Sequence, residues 1–139
     1  MSTYAYIGCR TTKERNARGK GIRVYEIENG EWKLRQIAEG QVNPSYLCLN
    51  EKQDRLYAIH GDFSEVSAYR VAEDGTLTYQ NTTETHGTNP VHLTIDQTGK
   101  WLFVANLQTG GVSVIPIEED GYLGKIKELK FISGNGGPG

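Results

Sequence analysis

Three histidines are the residues of this chain best suited to proton transfer. Imidazole groups titrate near neutral pH, so they can act as a general base or a general acid. His60 ends one apolar run, His86 lies in a polar segment, and His92 stands near the start of the next run. Asn106 occupies the position equivalent to His60 in a second copy of the pattern, and Tyr46 the position equivalent to His92. We predict that His92 and Asn106 are catalytic and that His60, His86 and Tyr46 bind substrate; the alternative for each histidine is a solvated residue at a strand end.

A locally basic segment lies near the start of the chain. The segment contains one acidic residue, Glu14, and the cations Arg10, Lys13, Arg15, Arg18 and Lys20. Guanidinium groups can grip carboxylate or phosphate with two parallel hydrogen bonds. We therefore predict that Arg10, Arg15 and Arg18 bind an anionic small molecule. The alternative is a solvated loop, since the spacing matches no phosphate-binding motif.

Other chemistries find less support in the sequence. No Gly-x-Ser-x-Gly motif is present, which disfavours a serine hydrolase. No two histidines have metal-ligand spacing on one strand, although Asp62 could meet His60 and His86 in space. We predict neither a metal nor a cofactor. Cys9 and Cys48 also lack metal or redox spacing, which favours two reduced thiols in a cytosolic protein.

Composition and charge limit the partners. The chain has 139 residues, a formal net charge of -2 and 23% charged residues. This balance disfavours bulk nucleic-acid binding, and the sequence contains no apolar run long enough to cross a membrane. We therefore expect neither nucleic acid nor a membrane as partner.

An internal repeat organises the elements that must position these residues. Residues 43–77 reappear without a gap as residues 89–123, a shift of 46 positions. The identical pairs include Asn43/Asn89, Pro44/Pro90, Leu47/Leu93, Leu56/Leu102, Val66/Val112, Ser67/Ser113, Asp74/Asp120, Gly75/Gly121 and Leu77/Leu123. A period of about 40 to 50 residues, made of short apolar runs between turns, is typical of propeller blades. We predict an all-β fold of four-stranded antiparallel blades.

Strand direction predicts where the candidate residues meet. In such a blade, the loop from the second to the third strand opens on the same face as the loop into the next blade. All three histidines, Asn106 and the basic segment fall on that face. Loops on one side of a rigid scaffold commonly carry binding groups.

The number of repeats is too small for a closed ring. Blade 1 (about 3–40) lacks its inner strand, blade 2 spans about 43–86, blade 3 about 89–133, and residues 134–139 resemble a loop into a fourth blade. Closed propellers have about four to eight blades. We therefore expect a partial propeller from the N-terminal part of a longer protein. The alternatives are a ring assembled from several copies, or an open stack that self-associates through its exposed blade edges.

The motifs carry a family resemblance over nearly the whole chain. The resemblance lies in the runs 43–49, 55–59 and 65–71, and in the runs 89–93, 103–106 and 111–114 of the next repeat. These runs resemble the bacterial 6-phosphogluconolactonase family, whose members are seven-bladed propellers. The family also includes carboxymuconate cyclases.

The resemblance implies an activity and site residues. It implies a cytosolic hydrolase that opens a phosphorylated aldonolactone in the pentose phosphate route, and hence a small anionic sugar lactone or carboxylate as the partner. His92 and Asn106 match family positions at the channel mouth, whereas His60 stands where many members have asparagine. A carboxymuconate cyclase-type lactonising enzyme, or a non-catalytic propeller that binds a ligand or protein, remains the alternative.

Overall fold

The regular structure of the chain consists of β-strands. The computed structural model describes residues 3–8, 21–39, 44–60, 64–106 and 110–131. The strands in these ranges are β1 (Thr3–Ile7), β2 (Ile22–Glu28), β3 (Glu31–Ala38), β4 (Pro44–Leu49), β5 (Arg55–His60), β6 (Glu65–Val71), β7 (Leu77–Glu84), β8 (Pro90–Ile95), β9 (Trp101–Asn106), β10 (Gly111–Pro116) and β11 (Glu128–Phe131). Within the same ranges, no helix has the length and hydropathy that a membrane span requires.

The strands form three antiparallel sheets in chain order. The first has the order β1-β2-β3, the second β4-β5-β6-β7 and the third β8-β9-β10-β11. We call them blades 1, 2 and 3. Neighbouring strands in each blade are antiparallel throughout. The prediction of an all-β fold made of propeller blades is therefore confirmed.

Blade 2 lies between the other two blades, and its sequence shows why. Four consecutive apolar residues of β5, from Leu56 to Ile59, are almost fully buried. Because successive side chains of a strand point to opposite faces, this pattern requires cover on both sides of the sheet. Leu56 and Ala58 pack with Ile22 and Val24 of blade 1. Tyr57 and Ile59 pack in a second cluster with residues of blade 3.

Hydrogen bonds between blades repeat together with the sequence. The hydroxyl group of Tyr6 in blade 1 donates to the carbonyl of Gly75 in blade 2, at 2.7 Å. The hydroxyl group of Tyr57 in blade 2 donates to the carbonyl of Gly121 in blade 3, at 2.9 Å. Both glycines have positive φ, and a Cβ at Gly75 would collide with the ring of Tyr4. Glycine therefore allows each Asp-Gly turn to lie directly on the preceding blade.

A carboxamide makes a second repeated joint between blades. Gln36 of β3 accepts from the backbone N–H of Leu77 at 2.6 Å and donates to its carbonyl at 2.9 Å. Asn81 of β7 makes the same two bonds with Leu123, at 3.0 and 2.8 Å. Leu77 and Leu123 are equivalent in the repeat. The blades are therefore joined by polar contacts of fixed geometry as well as by their apolar faces.

Candidate functional site

The inner strands of blades 2 and 3 share an irregularity where they begin. In β4, Pro44 lies opposite His60 and the register then shifts, so that Tyr46 lies opposite Ile59. In β8, Pro90 lies opposite Asn106 and His92 opposite Ala105, with the same shift between them. A β-bulge adds one residue to a strand and re-aims the side chains around it. The repeat therefore places Tyr46 and His92 at the same level of neighbouring inner strands.

Tyr46 and His92 contact each other across the two blades. Their ring centroids are 4.8 Å apart and the ring planes are inclined by 48°. Both side chains are exposed, Tyr46 with 38% of its surface. The structure thus brings together one predicted catalytic residue and one predicted substrate-binding residue, in a position open to a ligand.

Asn106 lies at the end of β9, on the neighbouring strand, but it is buried. It is only 4% exposed, and its amide group donates to the hydroxyl of Ser113 at 2.9 Å. The same amide approaches the carbonyls of Val104 and Gly111 at 3.3 Å each. Its oxygen lies 3.3 Å from Thr85 Oγ1. The catalytic role of Asn106 remains a prediction, and these contacts favour a positioning role.

The segment positioned by Asn106 is the connection between blades 2 and 3. Thr85 Oγ1 donates to the carbonyl of Ser64 at 2.8 Å and accepts from the N–H of Gly87 at 3.2 Å. Ser113 donates its hydroxyl proton to the carbonyl of Thr85. This network holds the segment that leads into β8, and hence into His92. Sequence reasoning assigned no role to Thr85 and Ser113, although the repeated pair Ser67/Ser113 was a usable signal.

His60 occupies the equivalent position in blade 2 and is also buried, with 2% exposure. Its Nε2 lies 2.7 Å from Ser67 Oγ, the counterpart of Ser113. Ser67 Oγ lies 2.7 Å from Thr82 Oγ1, which in turn lies 2.7 Å from the hydroxyl of Tyr79. His60 therefore belongs to a chain of hydroxyl groups inside blade 2, and a role in substrate binding remains a prediction.

His86 lines a different surface from Tyr46 and His92. It is exposed, has φ of 60°, and borders a groove of about 860 Å³ between the outer parts of blades 2 and 3. Glu84 and Lys125 line the same groove. The predicted role of His86 in substrate binding would therefore require a ligand that extends outward from the inner strands.

A second groove lies at the opposite ends of the strands. It has a volume of about 590 Å³ and is lined by turn residues that include Asn50, Asp54 and Asp96. The hydroxyl of Thr98, followed by backbone N–H groups, lowers the pKa of Asp96 below its ordinary value. These bonds serve the turn itself, as expected of an aspartate that accepts from the residues after it. We therefore place the candidate site at the other edge, with Tyr46 and His92.

The remaining predicted residues lie outside the described part of the chain. Arg10, Arg15 and Arg18 fall in residues 9–20, and Asp62 falls in residues 61–63. Among the described residues, no group of three or more histidine, cysteine, aspartate or glutamate side chains is arranged to hold a metal.

The described geometry supports proton transfer near an aromatic surface. An exposed imidazole can accept a proton from water and return it to a leaving group. The adjacent phenol supplies an apolar ring face and a hydroxyl group. The pair therefore offers one group that can transfer a proton and one aromatic ring against which a ligand can pack.

Comparison with known proteins assigns this architecture to a family. A family model described as "Lactonase, 7-bladed beta-propeller" matches residues 4–139. Curated relatives include a 6-phosphogluconolactonase of Formosa agariphila, 29% identical over 94% of this chain and 38% of the relative. Another is a 6-phosphogluconolactonase of Bacillus subtilis, 30% identical over 85% of this chain and 35% of the relative. The chain thus spans little more than a third of the curated relatives it matches.

Solved structures agree on the fold. A crystal structure from Bacteroides fragilis, of a candidate 6-phosphogluconolactonase, has a TM-score of 0.85 and 31% identity over 96% of this chain and 37% of the other. The periplasmic gluconolactonase of Pseudomonas aeruginosa has a TM-score of 0.81 at 23% identity, covering 94% of this chain and 39% of that one. The latter likeness shows the fold alone.

Proposed function

Because this chain belongs to the lactonase family of seven-bladed β-propellers, we propose that it contributes to a hydrolase that opens 6-phosphogluconolactone to 6-phosphogluconate. The observation that carries the proposal is the contact between His92 and Tyr46 on adjacent inner strands. The names of the relatives support the substrate class.

The chemistry assigns one step to His92. Hydrolysis adds water to the lactone carbonyl, and the ring C–O bond then breaks to leave a carboxylic acid and a hydroxyl group. His92 accepts the proton of the attacking water and returns it to the departing ring oxygen. Tyr46 packs against the imidazole and offers its ring face to the sugar ring. No cofactor takes part in this scheme.

The phosphate group of the substrate requires a cationic partner. We assign that role to Arg10, Arg15 and Arg18, because a guanidinium group can bind two phosphate oxygens at once. The same charge argument favours a cytoplasmic location, since a phosphorylated sugar does not cross a bilayer unaided.

The test is a kinetic assay of a chain that begins with the printed sequence and continues to seven blades. Purified chain is added to 6-phosphogluconolactone, and acid release is followed above the spontaneous rate. We expect hydrolysis faster than the spontaneous reaction, and a loss of ~10²-fold or more in His92→Ala, as is typical for removal of a general base. Gluconolactone, which lacks the phosphate, should react more slowly.

The control variant is Thr78→Ala, at an exposed position of β7. It should hydrolyse the lactone at the parent rate. Equal rates in His92→Ala and the parent would remove His92 from the mechanism. The absence of any rate above the spontaneous reaction would favour a non-catalytic propeller that only binds ligand.

A further inference from the structure

One buried hydroxyl group connects three structural elements near the start of β8. Thr85 follows β7 and is fully buried. Its Oγ1 and its backbone N–H both donate to the carbonyl of Ser64, at 2.8 Å each. The same Oγ1 accepts from the N–H of Gly87 at 3.2 Å and lies 3.3 Å from the carboxamide oxygen of Asn106. Thr85 therefore links the residue before β6, the connection from β7 to β8, and the end of β9.

The connection from β7 to β8, residues 85–89, has a strained backbone. His86 and Asn89 have φ of 60° and 56°, in the left-handed region that residues with a side chain seldom adopt. Such conformations persist where the surrounding contacts determine the path of the chain. The contacts at the start of this connection are those of Thr85, and the hydroxyl of Ser113 adds a bond to the Thr85 carbonyl. Thr85 is therefore placed to hold a backbone that would otherwise relax.

The path of this connection decides where His92 stands. The connection leads into Pro90, which lies opposite Asn106, and the register shift that follows sets His92 opposite Ala105. At Gly87 the backbone lies directly on the carboxamide of Asn106, because a Cβ there would collide with it. A change in the path would therefore move both the bulge and the imidazole beyond it.

The repeat supports a role tied to this particular connection. A shift of 46 positions relates His92 to Tyr46 of the preceding blade, and Thr85 to Glu39, which is exposed. The buried threonine hydroxyl thus occurs in the connection that leads to a histidine. An exposed carboxylate occurs in the connection that leads to a tyrosine.

We propose that Thr85 is a positioning residue for the reaction, and that its hydroxyl group fixes the connection and thereby the direction in which His92 presents its imidazole to the substrate. This inference rests on the proposed function, because it takes His92 as the group that transfers the proton. Thr85 is fully buried, so it acts through the backbone. A displacement of about 1 Å at a reacting group can lower a rate by ~10²-fold, so a residue outside the reacting groups can control the chemical step.

Removal of the hydroxyl group tests the proposal in the chain that continues to seven blades. Thr85→Val keeps a branched side chain of similar size and removes the hydroxyl. We expect kcat for 6-phosphogluconolactone to fall by ~10-fold or more while KM changes little, because a misplaced general base weakens binding of the transition state and not of the substrate. Thr85→Ser, which restores the hydroxyl, should recover most of kcat. Equal kcat in Thr85→Val and the parent would overturn the proposal.

Thr98→Val is the matched control. Thr98 lies in the turn after β8, at the end of the strand opposite to His92, and its hydroxyl donates to Asp96 at 2.6 Å. The control loses one threonine hydroxyl from blade 3 and should keep the parent kcat. An equal fall of kcat in Thr98→Val and Thr85→Val would indicate a general loss of stability and contradict the proposal. If Thr85→Val does not fold, Ser113→Ala, which removes the bond to the Thr85 carbonyl, takes its place with the same expected loss of kcat.

The NMR signals of the His92 ring separate this inference from the proposed function. They are assigned by their absence from His92→Ala, and they should shift in Thr85→Val but stay near the parent values in Thr85→Ser and Thr98→Val. Unchanged His92 signals in Thr85→Val, in a chain whose rate depends on His92, would overturn the positioning role and leave the proposed function intact. If His92→Ala hydrolyses the lactone at the parent rate, the catalytic role of His92 fails, whereas a His92 shift confined to Thr85→Val would still establish the link between the two residues.

Discussion

The imidazole ring of His92 lies against the phenol ring of Tyr46, with centroids 4.8 Å apart, and the contact joins the inner strands of two different blades. Each ring stands just beyond the bulge that begins its strand. An aromatic pair of this kind contributes about 0.5–1.5 kcal/mol. The orientation of His92 therefore depends on how blades 2 and 3 pack.

Replacement of Tyr46 tests whether its ring positions His92. We expect Tyr46→Phe to hydrolyse 6-phosphogluconolactone at nearly the parent rate, because the ring contact remains. Tyr46→Ala should be slower by up to ~10-fold, since about 1.4 kcal/mol corresponds to a factor of ten. The NMR shifts of the His92 ring protons should move in Tyr46→Ala and change little in Tyr46→Phe. Equal shifts in all three proteins would show that the contact is absent in solution.

The close approach of Gly87 to Asn106 provides a second test. A Cβ at position 87 would collide with the carboxamide of Asn106, so Gly87→Ala should destabilise the chain by about 1–3 kcal/mol in urea unfolding. Asn106→Ala should cost about 1–3 kcal/mol because it leaves buried polar groups without partners. In the double variant the alanine at 87 has space, so the two costs should not add. Strict additivity would contradict the predicted collision.

Alkaline unfolding should depend on the tyrosines that join the blades. Burial, only partly opposed by Arg55, raises the pKa of Tyr57 from 10.0 to about 12. Burial, aided by Tyr4 and Asp74, raises the pKa of Tyr6 from 10.0 to about 12 as well. Because the pKa of each tyrosine is higher in the folded chain, its contribution to the free energy of unfolding is complete below pH 10 and is lost as the pH rises to about 12.

Tyr57→Phe should therefore make stability fall less steeply between pH 10 and pH 12, as followed by circular dichroism in urea. It should also cost about 1 kcal/mol at neutral pH, because the bond to the carbonyl of Gly121 is lost. Tyr122→Phe removes the hydroxyl of an exposed tyrosine and serves as control. If the stability of Tyr57→Phe falls as steeply with pH as that of the parent, the loss of stability at alkaline pH comes from other groups.

The carboxamide joints should depend on the amide group of the side chain. Asn81→Ala removes both hydrogen bonds to Leu123, and we expect a loss of about 1–2 kcal/mol in urea unfolding. Asn81→Gln keeps the amide, and Gln36 makes the same two bonds at the equivalent joint of blade 1, so glutamine should recover most of this loss. A glutamine variant as unstable as Asn81→Ala would show that the joint between blades 2 and 3 accepts only the shorter side chain.

The apolar pattern predicts the strands but not the residue at which the last one begins. The apolar run for the fourth strand of blade 3 starts at Ile126, whereas β11 starts at Glu128. The residues before β11 make other backbone contacts. Ile117 forms an isolated β-bridge with Leu123, and the N–H of Gly124 donates to the carbonyl of Pro116. Backbone hydrogen bonds of this irregular kind have no period in the sequence.

The candidate site was predicted in part, for a related reason. The repeat indicated that Tyr46 and His92 are equivalent, and equivalent positions of adjacent blades lie side by side. It could not indicate that the carboxamide of Asn106 faces the connection between blades 2 and 3. The sequence alone does not show whether an asparagine side chain faces water or a buried carbonyl. Burial of Asn106 and His60 follows from contacts with Thr85, Ser113 and Ser67, which lie on other strands or in loops.

The sequence by itself determined the all-β character, the 46-residue repeat and the order of strands in each blade, because period and turn residues act locally along the chain. Only the tertiary structure decided which of these polar residues faces open space and which is enclosed. Exposure depends on the neighbouring blade, and the neighbouring blade is contributed by residues far away in sequence.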